Sequence, residues 1–283
     1  MTMNTSRSQN RAKARIERKY TRPTYNALQQ GISRAIRELG NATTQGEMES
    51  LTAFIEQEQV EKTLYKAYED TFKTFTRATY EAIAKDAQKA KKEVETGEAL
   101  VAGAMTIPPV SDALLDDWAR VAIRFAATQS GLKAKMMTET SRELYLRAIR
   151  LATAEALNEG LSVFEARKRI QSYTREYMGK QNRYRAVRVM RTEVGIAANE
   201  ASLQAAKATG LQMKKKWIAT RDERTRDTHA ALDGTVVLLD DYFNVNGTPM
   251  DKPQMVGAPA SEVINCRCTM VYITPNNPEY NQS

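Results

Sequence analysis

The sequence predicts a mainly α-helical protein that ends in a small α+β C-terminal module, with long amphipathic helices followed by short strands. The chain of 283 residues is rich in Ala, Glu, Lys, Arg and Gln, which lose little rotamer freedom in a helix. Apolar residues recur at helical spacing before about residue 210. Strand-like runs separated by Gly, Pro, Asp and Asn appear only after Lys214.

The composition excludes membrane-spanning proteins and small secreted domains held together by disulfides. There is no run of about 18 apolar residues, and the N-terminus lacks the apolar segment of a secretory signal, so we expect no membrane partner. The two cysteines, Cys266 and Cys268, are too close to form a disulfide framework, which indicates a reducing compartment. The formal net charge of +8 favours partners that carry phosphate or an acidic surface, although a solvated basic surface is the simpler alternative.

Residues 1–22 are predicted to form a basic flexible arm, disordered or helical only on a partner. Against the single acid Glu17, this segment carries the candidate nucleic-acid-binding residues Arg7, Arg11, Lys13, Arg15, Arg18, Lys19 and Arg22. We expect the arm to contact DNA, and the alternative is a solubilising tail.

Residues 23–96 are predicted to form an N-terminal helical region. Its long helix places Leu64, Tyr68, Phe72, Phe75 and Ile83 near one face, a pattern typical of helix–helix packing. Residues 97–112 are predicted to be a linker, because this segment contains two glycines and a Pro-Pro pair.

Residues 113–210 are predicted to form a helical domain with several helices. Ser130-Gly131 and Gly179 are expected to interrupt it, while Gly160 and Gly210 are expected to end helices. Ser162 and Glu165 form a capping box at the start of one helix.

Residues 211–275 are predicted to form the α+β module, and residues 276–283 a frayed tail. Asp233-Gly234 fits a tight turn, since glycine tolerates a positive φ. Trp217 is expected to cover the small core of the module.

Five short elements occur in a fixed order between residues 191 and 268. They are Arg191-Thr192-Glu193, then Trp217, then Asp222-x-Arg224 running on to His229, then Leu232-Asp233-Gly234, and finally Asn265-Cys266-Arg267-Cys268. As an ordered set they resemble the C-terminal domain of the Mu F-like minor head (head-morphogenesis) proteins of tailed bacteriophages. The resemblance covers about 90 residues closely, and the helices from about residue 111 more loosely.

The resemblance implies a structural protein of the phage head and no enzyme. It implies association with the portal protein, with other capsid or scaffolding proteins, and with double-stranded DNA without sequence preference. The expected roles are head morphogenesis and DNA packaging or ejection, and the expected location is the virion head, with the host cytoplasm during assembly. Some members of the family are fused to toxin enzymes, and we expect no such fused domain after residue 283.

The motif residues are interpreted as structural. Arg191 and Glu193 lie two residues apart on one helix, so they point in different directions and each needs its own partner. We predict that one of them pairs with the loop that holds Asp222 and Arg224, and thereby fixes the module to the helix.

His229, Cys266 and Cys268 are possible zinc ligands, with Asp222 or Asp227 as a fourth. Many members of the resembled family carry a Cys-x-x-Cys pair and a further His, but here Arg226, His229 and Val263 would stand at those positions. We therefore assign no cofactor and no metal ligand, and zinc stays as an alternative. The other reading is two small buried cysteines and a histidine that forms a hydrogen bond within its loop.

Two other functions compete with the structural one. A metal-dependent nuclease or hydrolase could be built on His229, Asp222 and Asp233, although the chain has one histidine and no phosphate-binding loop, nucleophile elbow or HExxH motif. A general non-specific DNA-binding protein is the other alternative, although the sequence contains no zinc-finger or homeodomain motif.

Overall fold

The computed structural model confirms a mainly α-helical fold with a small α+β module near the C-terminus. It describes residues 6–42, 44–95 and 107–281. Most of the predicted linker at 97–112 therefore lies outside the described residues. No helix in the described part of the chain is both long and apolar enough to cross a membrane.

Four long helices dominate the structure. They are α1 (Ser6–Glu38), α3 (Glu58–Glu95), α4 (Asp112–Asn158) and α5 (Val163–Ala208), and a short helix α2 (Gln45–Ser50) precedes a 3₁₀ turn at Leu51–Phe54. The described residues cluster in two compact units: unit 1 comprises 6–17, 68–95, 107–124 and 191–281, and unit 2 comprises 18–42, 44–67 and 125–190. Each long helix contributes to both units.

Helix α1 shows that the predicted flexible arm was wrong. The described part of residues 1–22 is helical, and the helix continues through Pro23. Side chains on one face of α1 are buried at intervals of three or four residues: Gln9, Lys13, Ile16, Tyr20, Thr24, Leu28 and Ile32. Because polar residues hold the first two of these positions, hydropathy alone does not reveal the stripe.

Helices α4 and α5 are also longer than predicted, because neither Ser130-Gly131 nor Gly179 ends a helix. A glycine inside a helix costs about 1 kcal/mol relative to alanine, which buried neighbours such as Ala126 and Ala134 can offset. Gly160 and Gly210 end their helices as predicted, with φ of 63° and 69°. The capping box of Ser162 and Glu165 is confirmed by both reciprocal hydrogen bonds.

The C-terminal module contains a three-stranded antiparallel sheet in the order β2–β1–β5. Its strands are β1 (Lys214–Ile218), β2 (Val236–Leu238) and β5 (Thr269–Ile273), and a separate hairpin joins β3 (Phe243–Val245) to β4 (Thr248–Met250). The one-turn helices α6 (Asp227–Ala230) and α7 (Ala260–Val263) lie between strands in the sequence.

The core of unit 1 joins this module to the helices of the same unit. Trp217 is fully buried there and meets the ring of Phe243 edge-on at 5.2 Å between centroids. The tail was expected to fray, but residues 278–281 form a 3₁₀ turn, and the carbonyl of Tyr280 accepts a hydrogen bond from Lys214 at 2.7 Å. The ammonium group of Lys214 on β1 thus holds the tail through its hydrogen bond to Tyr280.

Candidate functional site

The motif residues on helix α5 contact the C-terminal module, but through partners that the sequence did not predict. The hydroxyl of Thr192 accepts a hydrogen bond from the backbone N–H of Asn265 at 3.0 Å. The buried carboxylate of Glu193 accepts one from the Tyr68 hydroxyl at 2.7 Å, and Arg191 lies 3.9 Å from Glu17. The motif thus joins α5 to three different elements of unit 1.

The predicted pairing of Arg191 or Glu193 with the Asp222 loop was wrong. Both carboxylate oxygens of Asp222 accept hydrogen bonds from the guanidinium of Arg267, and the backbone N–H of Arg224 donates a further one. These contacts lower the pKa of Asp222 to about 2, with the Arg267 hydrogen bonds as the largest cause. Asp222 therefore anchors the segment that carries the two cysteines, just before β5, and not helix α5.

Asp233 and Gly234 form part of a turn, with Gly234 at a φ of 86°. The Asp233 carboxylate accepts hydrogen bonds from the backbone N–H of Ala219 at 2.9 Å and from Arg221 at 2.8 Å. Leu232 packs, partly buried, against the core of unit 1. These contacts are architectural.

A close approach between α5 and the module was missed by the sequence reasoning. Gln254 is fully buried and donates a hydrogen bond to the Thr192 carbonyl at 3.1 Å. A Cβ added at Gly195 would lie 2.0 Å from the Gln254 side-chain oxygen, so only glycine leaves room there. Asn199, one turn later, donates to the carbonyl of Pro253 at 3.1 Å. An isolated glycine within a predicted helix was the available signal.

The structure brings His229, Cys266 and Cys268 together in the interior of the module. All three side chains are at least 97% buried. The Nδ1 atom of His229 lies 3.5 Å from the Sγ of Cys266 and 3.5 Å from the Sγ of Cys268. One nitrogen and two sulfurs are thus able to converge on a single metal ion.

Local structure explains this convergence. The side chains of Cys266 and Cys268 both meet His229, whereas Arg267 between them meets Asp222, so successive side chains alternate in direction. His229 lies on α6, and its ring meets Trp217 edge-on at 5.5 Å between centroids. The hydrogen bond between the two thiols lowers the pKa of Cys268 and, together with burial, raises the pKa of Cys266 well above its usual range.

The basic residues near the N-terminus fall into two groups. Lys13 is buried, and its ammonium donates hydrogen bonds to the carbonyl of Cys268 at 3.2 Å and to Asn199 at 3.3 Å, so it is a packing residue. The other candidates are exposed: Arg7, Arg11 and Arg15 in unit 1, and Arg18, Lys19 and Arg22 in unit 2.

Comparison with known proteins places the similarity in the C-terminal half of the chain. Residues 147–271 match the model of the family described as Phage Mu protein F like protein. Minor head protein GP7 of Bacillus phage SPP1 is 29% identical over 138 residues, which are 48% of this chain and 43% of that protein.

A second relative carries an enzyme name. NAD(+)–arginine ADP-ribosyltransferase EFV of Enterococcus faecalis is 42% identical over 91 residues, which are 31% of this chain but 18% of the relative. The chain thus spans less than half the length of either relative. No solved structure matches it significantly. The match to the Phage Mu protein F like model over residues 147–271 confirms the resemblance drawn from the motifs.

Proposed function

We propose that this protein is a minor component of a phage head that associates with the portal and with packaged DNA. The observation that carries the head assignment is the family match over residues 147–271, together with the partial similarity to a minor head protein. The role in DNA packaging or ejection, and the location in the virion, belong to the same proposal.

The DNA contact is proposed for the exposed face of α1 in unit 1. Arg7, Arg11 and Arg15 are four residues apart, so they follow one another along one side of the helix. Glu17 is the only acid between residues 7 and 17, and it faces Arg191. A row of arginines that lacks an acid is suited to a phosphate backbone.

A groove beside this row supports the same proposal. Arg11 and Arg15 line one side of a groove of about 390 Å³, and Thr74 and Ala78 of helix α3 line the other. The groove has no acidic lining residue, so nothing within it repels a phosphate. Contacts of this kind provide affinity without sequence preference.

The test is the salt dependence of DNA binding by the triple variant Arg7→Gln, Arg11→Gln, Arg15→Gln. Each lost phosphate contact should reduce the slope of log K against log salt concentration by about 0.9, so the variant should bind more weakly and with a flatter slope. Binding is measured by fluorescence anisotropy with a short duplex of arbitrary sequence.

The matched control removes the same charge from helix α3, at positions where each cation already has a glutamate partner. Lys62, Lys73 and Arg77 are exposed on α3 and form ion pairs with glutamates on that helix, so their replacement by glutamine should leave the slope close to the wild-type value. Equal slopes for both triple variants and the wild type would remove α1 from the proposal.

An enzymatic role is the competing proposal, suggested by the name of the Enterococcus relative. The geometry gives this role little support, because Asp222 and Asp233, the carboxylates considered for catalysis, both accept hydrogen bonds from neighbouring arginines. The space beside His229, Cys266 and Cys268 is about 10 Å³, room for a single water and no dinucleotide. Release of nicotinamide from NAD+ by the purified chain, above the rate in buffer, would revive this proposal.

A further inference from the structure

The His229–Cys266–Cys268 cluster has the dimensions of a metal site. Zinc bonds are about 2.0–2.1 Å to a histidine nitrogen and about 2.3 Å to a thiolate, so the nitrogen–sulfur edge of a zinc tetrahedron is about 3.5 Å. Both nitrogen–sulfur distances in the cluster are 3.5 Å. The three candidate ligand atoms all lie within 4.8 Å of one another.

Hydrogen bonding alone explains this arrangement less well. The Nδ1 atom of a neutral imidazole has one lone pair and accepts one hydrogen bond well, yet two sulfurs lie at the same distance from it. A metal ion satisfies both sulfurs and the nitrogen at once.

A buried carboxylate orients the histidine for this role. The Nε2 atom of His229 lies 3.0 Å from the carboxylate of Glu262, which is itself 7% exposed. A proton on Nε2 that is donated to Glu262 leaves the lone pair on Nδ1, directed at the sulfurs. Histidines that bind metals commonly donate their other nitrogen to a carboxylate in this way.

The sulfurs also have support from the backbone. The N–H of Cys268 donates a hydrogen bond to the Sγ of Cys266 at 3.4 Å. N–H groups that point at a sulfur stabilise its thiolate form, which is the form that binds metal.

From this geometry we propose that His229 Nδ1, Cys266 Sγ and Cys268 Sγ bind one Zn²⁺ ion that braces the C-terminal module, with a water as the fourth ligand. Neither aspartate considered as the fourth ligand is suitable, because Asp222 is held by Arg267 and Asp227 is exposed. The adjacent space of about 10 Å³ matches one water. The site is independent of the proposed portal and DNA contacts.

The experiment is a metal titration of the full chain, purified under reducing conditions and freed of metal by a chelator. Added Zn²⁺ should bind at one ion per chain by elemental analysis and raise the melting temperature. Co²⁺ in its place should give thiolate-to-metal charge-transfer absorption with the strong visible bands of a tetrahedral ion. Binding of much less than one Zn²⁺ per folded, reduced chain, or a cobalt spectrum without thiolate bands, would overturn the proposal.

Variants distinguish the three proposed metal ligands from Glu262, which orients His229. Cys266→Ser, Cys268→Ser and His229→Asn should each abolish stoichiometric binding, whereas Glu262→Gln should weaken it by about 10- to 100-fold. The control Asp222→Asn disturbs the same loop without removing a ligand and should still bind one ion. If a ligand variant fails to fold, the cobalt spectrum of the wild type decides. Unchanged zinc binding by folded ligand variants would refute the site.

Discussion

At the scale of single residues, helix α5 approaches the module so closely at Gly195 that a side chain there would clash with Gln254. Gln254 reaches the Thr192 carbonyl across Gly195, and Asn199 continues the contact one turn later. Buried polar groups of this kind stabilise a structure only when each finds its partner. The hydrogen bonds of Gln254 therefore depend on the missing Cβ.

The variant Gly195→Ala should lower the free energy of unfolding by about 1–3 kcal/mol, because the new methyl group displaces the buried amide of Gln254. Urea denaturation measures the change. Gly179→Ala on the same helix is the control, because its Cβ would meet its nearest neighbour, Gln29, at an ordinary 3.7 Å. The control should gain about 0.5–1 kcal/mol from helix propensity, and a loss equal to that of Gly195→Ala would contradict this account.

Contacts between residues close together in the sequence were predictable, whereas contacts between residues far apart in the sequence were not. The capping box of Ser162 and Glu165 lies within four residues and is present as expected. The Asp222–Arg267 pair joins residues 45 positions apart, and no local pattern indicates it. Because histidine and cysteine are usual zinc ligands, the sequence made His229, Cys266 and Cys268 candidates. Only the fold shows that their side chains meet.

At the scale of secondary-structure elements, buried polar residues make α1 and β1 hard to predict from the sequence. The buried face of α1 includes Gln9 and Lys13, so the segment resembles a solvated arm in sequence. Strand β1 begins with three lysines, of which Lys215 is fully buried, so its first half carries no apolar strand pattern. The β3–β4 hairpin turns at Asn246-Gly247, both at positive φ, a two-residue signal that went unused.

Deletion of residues 1–22 tests the corrected role of α1. A flexible arm could be removed without effect on stability, whereas this deletion removes the buried side chains of Gln9, Lys13, Ile16 and Tyr20. We expect a loss of several kcal/mol, because burial of one large apolar side chain alone contributes about 1.5–3 kcal/mol. Thermal unfolding followed by circular dichroism measures it, and an unchanged melting temperature would show that residues 1–22 do not pack on the fold.

Strand β1 should also give the protein a pH dependence in the alkaline range. Burial lowers the pKa of Lys215 to about 8, although its ammonium donates a hydrogen bond to the Asp251 carbonyl at 2.7 Å. Between pH 8 and the ordinary lysine value of 10.5, the unfolded chain binds more protons at this position than the folded chain. Stability should therefore rise as the pH rises from about 8 towards 10.

The variant Lys215→Met should flatten that rise, by an amount on the order of 3 kcal/mol at most. Part of the rise should remain, because burial also lowers the pKa of Lys13 to about 8. Lys216→Met is the control on the same strand, since Lys216 forms a partly exposed ion pair with Glu279. Urea denaturation at pH 8, 9 and 10 measures the slopes, and equal slopes in all three proteins would contradict the assignment to Lys215.

At the scale of the whole molecule, the family match and the division into units follow different boundaries. Residues 147–271 include the end of α4, all of α5 and most of the module, so they contribute to both compact units. The described segments outside this match, 6–42, 44–95, 107–146 and 272–281, complete the two units. Surfaces that are particular to this protein are therefore best sought on α1 and α3, where the proposed DNA contact lies.

The most direct test of the proposed function is a pull-down of the full-length chain with the portal protein of its own phage, with and without nuclease. We expect binding that resists nuclease, since a minor head protein should hold the portal through protein contacts. Binding that disappears with nuclease would mean that DNA bridges the two proteins and that the portal is no direct partner. Absence of binding under both conditions would contradict the proposed association with the portal.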